Sequence, residues 1–164
     1  MIRPTEEDDL RDILSLAAGF FERSEVDCIR ELLEVYLYKP EQTDYRFLSY
    51  VDHDRIAGFI CYGPTPLTEG TFSLYWICVG RDHQGHGVGS ALLAEVEAHL
   101  ARQGARLLLV ETSSTPEYAP ARHFYSRRAF EQLAIISDFY ALGDDMMMYG
   151  KRYFGCKGQA DHPS

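Results

Sequence analysis

The residues from 81 to 92 have the composition and spacing of a loop that binds a phosphate group. They read Arg-Asp-His-Gln-Gly-His-Gly-Val-Gly-Ser-Ala-Leu and contain three alternating glycines, Gly85, Gly87 and Gly89. A β-branched and aromatic segment precedes them, and a helix-patterned segment follows them. Because glycines leave the backbone uncovered, a strand, glycine-rich turn and helix in this order point N–H groups at an anion. Gln84 can add an amide donor.

The spacing of these glycines discriminates among phosphate ligands. The dinucleotide fingerprint needs a third glycine, but that position is Ser90 or Leu92, depending on where the count begins. The Walker triplet Gly-Lys-Ser/Thr is absent from the chain. Gln84, Gly87 and Gly89 do fit the pattern Q/R-x-x-G-x-G/A. This pattern resembles the coenzyme A pyrophosphate loop of the GNAT superfamily of acetyl-CoA-dependent N-acetyltransferases. A helix-capping turn without a ligand is the alternative, although one cap does not need three glycines.

A second motif lies later in the chain. Residues 121–130 read Ala-Arg-His-Phe-Tyr-Ser-Arg-Arg-Ala-Phe. They resemble the A-x-x-F-Y-x-x-x-G-F helix of the same superfamily, with Ala129 where glycine is usual. Many members have an asparagine seven residues before the tyrosine, where this chain has Tyr118. The resemblance covers residues 1–153, which we predict to be one domain, and leaves 154–164 as a C-terminal tail.

The elements around the loop follow from hydrophobic periodicity. Capping-box spacings at Thr5-x-x-Asp8 and Ser24-x-x-Asp27 predict the starts of two helices, and Lys39-Pro40 ends the second. After the second helix we predict a hairpin of Tyr45–Val51 and Arg55–Tyr62, a loop over Gly63–Gly70 and a strand over Thr71–Val79. The helix after the glycine loop has its core stripe within Leu92–Leu100 and is capped by Gly104, and a strand covered on both faces follows over Ala105–Glu111. The last predicted elements are a helix beginning at Pro120 and two strands, Gln132–Ile136 and Met146–Tyr153, joined by a turn at Gly143-Asp144-Asp145.

With Ile2-Arg3 as a first edge strand, the predicted order is β-α-α-β-β-β-α-β-α-β-β. This order indicates an α/β domain of the α+β type with a mixed sheet. It is also the order of the GNAT fold, which the two motifs imply.

The resemblance implies roles for particular residues. The pyrophosphate of acetyl-CoA would be held by the loop residues Gln84, Gly85, His86, Gly87, Val88, Gly89 and Ser90. The edge of Ile77, Cys78 and Val79 would pair with the pantetheine arm as an added strand does. A backbone N–H near Val79 would polarise the thioester oxygen. Tyr125 matches the helix tyrosine whose phenol protonates the leaving sulfur; the alternative is a core aromatic residue beside Phe124.

Three further groups have competing interpretations. Glu111 is the best candidate for a base that deprotonates the amine, but it can equally be a carboxylate paired with an arginine or a backbone amide. Asp82, His83 and His86 resemble a metal-ligand spacing, yet a metal would compete with the phosphate, so we predict no metal and expect both histidines to be exposed. Cys78 would lie near the thioester, but direct transfer needs no acyl-enzyme.

Composition limits the remaining classes. The net charge of −9 disfavours nucleic acid as a partner and is compatible with a cationic amine acceptor. No apolar run is long enough to span a membrane, and the acidic N-terminus lacks a signal core. Four scattered cysteines predict reduced thiols and a cytoplasmic location. A homodimer is left open. The rivals to an acetyltransferase are a non-catalytic acyl-CoA-binding or sensor protein on the same fold, and a nicotinamide dinucleotide enzyme with Glu111 on the ribose.

Overall fold

The computed structural model describes residues 1–153, so the predicted tail lies outside the described residues. Seven strands and four α-helices follow one another in the described part of the chain: β1 (Ile2–Pro4), α1 (Leu10–Ala18), α2 (Arg23–Tyr38), β2 (Arg46–Asp52), β3 (Arg55–Pro64), β4 (Thr71–Val79), α3 (Val88–Arg102), β5 (Leu107–Ser113), α4 (Ala119–Ser126), β6 (Glu131–Ala141) and β7 (Asp144–Arg152). This order confirms the predicted mixed α/β class. None of the helices in this part is long and apolar enough to cross a membrane.

The chain divides into two compact units. The first combines Met1–Pro66 with Ser73–His99, and the second combines Leu67–Phe72 with the chain from Leu100 onward. In the first unit the strand order is β1-β2-β3-β4, and the β1–β2 and β2–β3 pairs are antiparallel. The predicted hairpin is confirmed: His53 and Asp54 both have positive φ, 46° and 59°, which the tightest hairpin turns require. β3 runs on to Pro64, two residues beyond the predicted strand.

The apolar stripes of α1 and α2 form the core of the first unit against its strands. The fully packed members of this cluster are Ile13, Leu14, Ala17, Ile29, Leu33, Phe47, Phe59, Cys61 and Cys78. These side chains recur at helical spacing on α1 and α2 and at alternate positions on the strands, as the sequence pattern predicts. Burial of these stripes stabilises both helices on this unit's sheet.

The predicted caps of α1 and α2 were one or two residues out of place. The Glu6 N–H donates to Asp9 at 2.9 Å, so Glu6 and Asp9 form the first capping box around the single 3₁₀ turn Glu7–Asp9 that leads into α1. Thr5 is unavailable because its buried hydroxyl bonds to Ser49 at 2.7 Å. Likewise Glu22 and Glu25 cap α2, and Ser24 lies inside the helix.

Asp9 is fixed by more than its capping role. Arg3 donates to both carboxylate oxygens of Asp9, at 2.6 and 2.9 Å. Burial would raise the pKa of Asp9, but the bonds from Arg3 and from the Glu6 N–H hold this pKa below its usual value. The ion pair therefore joins β1 to the start of α1 through a charge that remains ionised.

The start of α3 packs closely on β3 at Gly58. A β-carbon there would lie 2.9 Å from the carbonyl oxygen of Cys78 and 3.2 Å from Cγ1 of Val88. Val88 is the first residue of α3 and is buried. The predicted core stripe of this helix is confirmed, because its members are all at most 1% exposed: Leu92, Leu93, Val96 and Leu100. Gly104 ends the helix with φ of 67°, as predicted.

In the second unit the strand order is β5-β7-β6, with antiparallel pairing throughout. β5 begins two residues later than predicted, because the Arg106 N–H bonds to the Gly70 carbonyl before the strand starts. The expectation that this strand is covered on both faces was wrong: Leu108 and Val110 are buried, but Leu107 and Leu109 are half-buried and Glu111 is exposed.

The last two strands are longer than the sequence pattern predicted. β6 continues to Ala141 instead of ending at Ile136, and β7 already includes Asp144 and Asp145, which were predicted to be in the turn. The pairing is irregular between Ile136 and Ala141, where Asp138 has φ of 53°. Through this bulge the strand continues past Ser137 and Asp138, the two polar residues that follow the predicted strand end at Ile136.

We predict that Gly58→Ala lowers the free energy of unfolding by about 1–3 kcal/mol, because a backbone oxygen and α3 must move to accommodate the new carbon. Equilibrium denaturation in urea measures this change. Gly80→Ala is the matched control, since its β-carbon would meet neighbours only at 3.4 Å or more and its φ is −56°. Equal stability of the two variants would contradict the close packing at Gly58.

Candidate active site

The glycine loop before α3 has the open geometry that an anion site needs. Gly85 and Gly87 have φ of 76° and 81°, and a β-carbon at either position would meet nothing within 4 Å. The first backbone bond of the helix runs from the Ala91 N–H to the Gly87 carbonyl at 2.9 Å. The N–H groups of the residues just before Ala91 therefore precede the intrahelical ladder, and they carry the positive end of the helix dipole.

Gln84 is connected to the end of β4. Its Nε2 donates to the carbonyl oxygen of Val79 at 3.1 Å, which joins two of the predicted cofactor-binding residues. An amide nitrogen has two donors, so this bond leaves Gln84 with a second one. The side chain both positions the loop and retains a donor for a ligand.

His83 is not the exposed loop residue that we expected. Its Nε2 lies 3.0 Å from Oδ2 of Asp52, the last residue of β2 before the β2–β3 turn, and the ring is only 35% exposed. Hydrogen bonds from His83 and then from His53 lower the pKa of Asp52. The turn therefore anchors the start of the loop. His86 is exposed, as predicted, and within residues 1–153 no cluster of three or more His, Cys, Asp or Glu side chains could hold a metal ion.

Arg81 makes a contact that the sequence pattern did not indicate. Its guanidinium donates to the carbonyl of Gly19 at 3.1 Å and lies 4.8 Å from the ring centre of Phe20. The segment between α1 and α2 is thereby attached to the residue that opens the loop. A single arginine among exposed residues gives no periodic signal, so only the tertiary structure reveals this role.

The three predicted strand residues lie at the end of β4. Cys78 is buried, and burial raises the pKa of its thiol to about 12. The sulfur is therefore protonated at neutral pH and is a poor nucleophile, which argues against an acyl-enzyme on Cys78. Ile77 and Val79 are half-buried. These residues and the loop all belong to the first unit.

Tyr125 lies on α4 in the second unit, within an aromatic cluster. Its ring is 4% exposed, and its centre is 5.4 Å from those of Phe124 and Phe130 and 6.4 Å from that of Tyr149. The Tyr125 hydroxyl has no hydrogen-bond partner within the described part of the chain. Burial of the ring raises the pKa of the phenol above its usual value.

Glu111 lies within β5, opposite Met148 of β7. Its side chain is exposed, and neither an ion pair nor a hydrogen bond of its carboxylate is found among the described residues. Among the described residues, Glu111 is therefore paired with neither an arginine nor a backbone amide, which was the alternative interpretation. Both oxygens are available to accept a proton or a hydrogen bond.

The chain was compared with known families and solved structures. The profile of the Acetyltransferase (GNAT) family matches residues 9–130. The chain belongs to the GNAT acetyltransferase family. A GNAT-family protein from Desulfovibrio desulfuricans shares 39% identity over 93% of this chain and 98% of its own, with a TM-score of 0.89. Comparison with curated proteins returned no significant match.

More distant structures share the fold of this GNAT chain. The ribosomal-protein-S18-alanine N-acetyltransferase from Escherichia coli is 18% identical, with a TM-score of 0.78 over 99% of this chain and 98% of that one. An aminoglycoside 6′-N-acetyltransferase solved with coenzyme A is 14% identical, with a TM-score of 0.72 over 93% and 96%. At these identities the likeness concerns the fold and not the acceptor.

Arg122 holds the GNAT motif helix to the end of β5. Its Nη1 donates to the carbonyl oxygens of Ser113 and Thr115, at 2.7 and 2.9 Å. The Ser113 hydroxyl in turn donates to Asp144 at the start of β7. Arg122 occupies a variable position in the motif that the sequence matched, so its role was missed. One turn of helix separates it from Tyr125.

We expect Arg122→Met to reduce the free energy of unfolding by about 1–3 kcal/mol, because two carbonyl groups at the end of β5 lose a charged donor. Chemical denaturation measures the loss. Arg30→Met is the control: this arginine is exposed on α2 and makes no described side-chain bond, so its removal should cost no more than about 0.5 kcal/mol. A neutral Arg122 variant would show that α4 does not depend on this contact.

Proposed function

We propose that this GNAT acetyltransferase moves the acetyl group of acetyl-CoA directly to a primary amine of a small molecule or protein. The observation that carries the proposal is the open, positive-φ glycine loop at the N-terminus of α3. An amine acceptor also agrees with the names of several GNAT neighbours, which are N-acetyltransferases acting on different amines.

The loop fits the pyrophosphate of acetyl-CoA. The space beside Gly85 and Gly87, which a side chain would fill, is open, so phosphate oxygens can approach the backbone there. The N–H groups of Val88, Gly89 and Ser90 and the free donor of Gln84 would bind those oxygens. His86 lies between the two glycines. A structural neighbour with this fold was solved with coenzyme A, which supports the same ligand class here.

The end of β4 is the proposed place for the pantetheine arm. Backbone groups of Ile77, Cys78 and Val79 would bond to its amides, and an N–H near Val79 would polarise the thioester oxygen. Because the Gln84 side chain donates a hydrogen bond to the Val79 carbonyl, the end of the strand is held in a fixed position relative to the loop. Such fixed donors stabilise charge that develops during reaction without reorganising.

Direct transfer requires an amine nucleophile and an acceptor for its proton. The amine nitrogen forms a bond to the acetyl carbon, the carbon–sulfur bond breaks, and sulfur leaves as a thiolate while nitrogen loses a proton. We assign the proton to Glu111, directly or through water, because its carboxylate is exposed and unpaired among the described residues. The protonated thiol of Cys78 supports direct attack by the amine.

We assign Tyr125 to the leaving sulfur, as the motif match suggests. A thiol of ordinary pKa, about 8.5, is a stronger acid than a phenol, and burial weakens this phenol further. Complete proton transfer to the thiolate is therefore unfavourable. The neutral phenol is better suited to donate a hydrogen bond that stabilises the negative sulfur, after which solvent can supply the proton.

The acidic balance of the chain favours a cationic acceptor and disfavours nucleic acid, since the net charge is −9. We also propose a cytoplasmic location. Cys28, Cys61 and Cys78 are all free, as in proteins of a reducing compartment.

We expect Gly87→Glu to weaken acetyl-CoA binding at least tenfold, which corresponds to about 1.4 kcal/mol, because a carboxylate would occupy the phosphate position. Isothermal titration calorimetry measures the affinity. Gly104→Glu is the matched control: it has φ of 67°, open space around its β-carbon and a place at the other end of α3. It should suffer similar backbone strain but keep wild-type affinity. Unchanged binding by a folded Gly87→Glu variant would remove the loop from the site.

Turnover is tested by CoA release with a panel of primary amines and their hydroxyl analogues. We expect release with at least one amine and none with its alcohol counterpart. Tyr125→Phe should lower this rate by a factor of about 10²–10³, the usual cost of removing one donor from developing charge. Thermal stability and acetyl-CoA affinity should remain near wild type, because the hydroxyl has no partner among the described residues.

The pH dependence separates hydrogen bonding from an ionising acid. Because burial raises the pKa of Tyr125, the phenol stays protonated, and the ratio of wild-type to Tyr125→Phe rates should be constant from about pH 7 to 10. If the Tyr125→Phe variant turns over at the wild-type rate, Tyr125 is a core aromatic residue and does not act on the sulfur. Tight acetyl-CoA binding without release by any amine would favour the sensor alternative.

A further inference from the structure

Asp52 is an acidic residue beside the loop that would bind the pyrophosphate of acetyl-CoA. It is the last residue of β2, and its Oδ2 lies 3.0 Å from Nε2 of His83. His83 immediately precedes Gln84, the first loop residue of the proposed site. By charge alone, a carboxylate this close to an anion site weakens the binding of the anion. The position of Asp52 therefore has to be explained by what its carboxylate holds.

His83 closes the short turn that leads from β4 into the glycine loop. Residues Arg81–His83 form a single 3₁₀ turn, in which the His83 N–H donates to the Gly80 carbonyl at 2.9 Å. The Gly80 N–H donates to the carbonyl of Ala57 in β3 at 2.8 Å, so the backbone of the sheet fixes the start of the turn. At the last residue of the turn, the contact with the sheet is the bond between His83 and Asp52. Asp52 thus fixes the point at which the chain enters the loop.

Two histidines share the carboxylate of Asp52. Nδ1 of His53 lies 3.0 Å from Oδ1, so each oxygen has one imidazole partner. The bonds from His83 and then from His53 hold the pKa of Asp52 below its usual value, so the carboxylate is ionised at neutral pH and the ring nitrogens are the donors. The His53 side chain is 93% exposed in the β2–β3 turn. Of the two bonds, only the one from His83 connects Asp52 to the glycine loop.

We propose that Asp52 is a positioning residue for acetyl-CoA binding, which acts through His83 on the glycine loop. This role rests on the proposed acetyl-CoA site, but it concerns the loop before the ligand arrives. A loop already held in its binding conformation loses little further freedom on association. Where only a fraction of the molecules has that conformation, the apparent Kd rises in inverse proportion to the fraction. Asp52 would increase this fraction, and so outweigh the repulsion between its charge and the phosphates.

Charge and position predict opposite effects when an acid is removed here. Asp54 is the matched control, because it is exposed two residues away, makes no described side-chain bond, and has φ of 59°, which asparagine tolerates. Asp54→Asn should leave the acetyl-CoA Kd unchanged or lower it up to about twofold. Asp52→Ala removes the same charge but should raise the Kd about three- to tenfold, as for a loop with the binding conformation in about a third to a tenth of the molecules. Isothermal titration calorimetry measures both values.

A double-mutant cycle assigns the effect to the bond between the two side chains. His83→Ala should also raise the Kd, and Asp52→Ala/His83→Ala should raise it no further than the larger single change, because both remove one contact. His53→Asn is the control on the same carboxylate: its φ of 46° suits asparagine, and the Kd should stay within about twofold of wild type. Additive effects of the Asp52 and His83 substitutions, or an equal effect of His53→Asn, would overturn the proposal.

Measurements on the ligand-free chain separate positioning from a general loss of structure. The urea midpoint of Asp52→Ala should match that of wild type, whereas backbone ¹⁵N order parameters of residues 85–90 should fall and those of α1 should not. In turnover with an accepted amine, the KM for acetyl-CoA should rise and kcat at saturation should stay within about twofold. Asp52→Asn, which keeps a neutral acceptor for His83, should have an intermediate Kd.

The outcomes also distinguish this role from the proposed function itself. If wild type binds acetyl-CoA and Gly87→Glu weakens it, but Asp52→Ala leaves both the Kd and the loop order parameters unchanged, Asp52 is not a positioning residue and the acetyl-CoA site stands. A lower Kd for Asp52→Ala, equal to that of Asp54→Asn, would show that only its charge matters. If wild type does not bind acetyl-CoA at all, the site and the role of Asp52 are both wrong.

Discussion

The first turn of α3 crosses β3 at Gly58, where a β-carbon would lie 2.9 Å from the carbonyl oxygen of Cys78 and 3.2 Å from Cγ1 of Val88. This close approach buries Val88, the first residue of the helix, and so fixes the point at which the helix begins. Gly87 must then turn the chain with φ of 81° immediately before it. The orientation of the N–H groups in the glycine loop is therefore a consequence of packing beneath the loop, and any residue larger than glycine at position 58 would move the helix.

Features that depend on local pattern were predictable from the sequence. The glycine spacing of the loop, the turn at His53 and Asp54, and the core stripe of α3 each follow from residues close together in the chain. The helix caps were predicted less well for a physical reason. Thr5 has the right chemistry for a cap, but Ser49, 44 residues away, takes its hydroxyl. A short-range pattern cannot show that a distant partner competes for the same side chain.

Three other features of the chain could not be predicted from the sequence, because they too depend on contacts with distant residues. Ser137 and Asp138 look like the end of a strand, and only the pairing of β6 with β7 shows that a bulge carries the strand past them. The sequence does not distinguish Gly58 from other glycines, because its role depends on the close approach of the Cys78 carbonyl and of Val88 in the folded chain. Arg122 and Arg81 are among the 16 lysines and arginines of the chain, and nothing in the sequence indicates that these two donate to distant backbone carbonyls.

The environment of Tyr125 bears on how it would act in acetyl transfer. Three aromatic rings surround its own ring, so the side chain has little freedom and its hydroxyl is held in one place. A donor held in this way loses little conformational entropy when it meets developing charge. The same apolar surroundings raise the pKa of the phenol, because they disfavour the phenolate. A group that resists ionisation this strongly is a poor source of a proton but a well-fixed source of a hydrogen bond. The burial that makes Tyr125 look like an ordinary core residue is thus compatible with catalysis, provided that catalysis requires charge stabilisation at sulfur and not transfer of the phenolic proton.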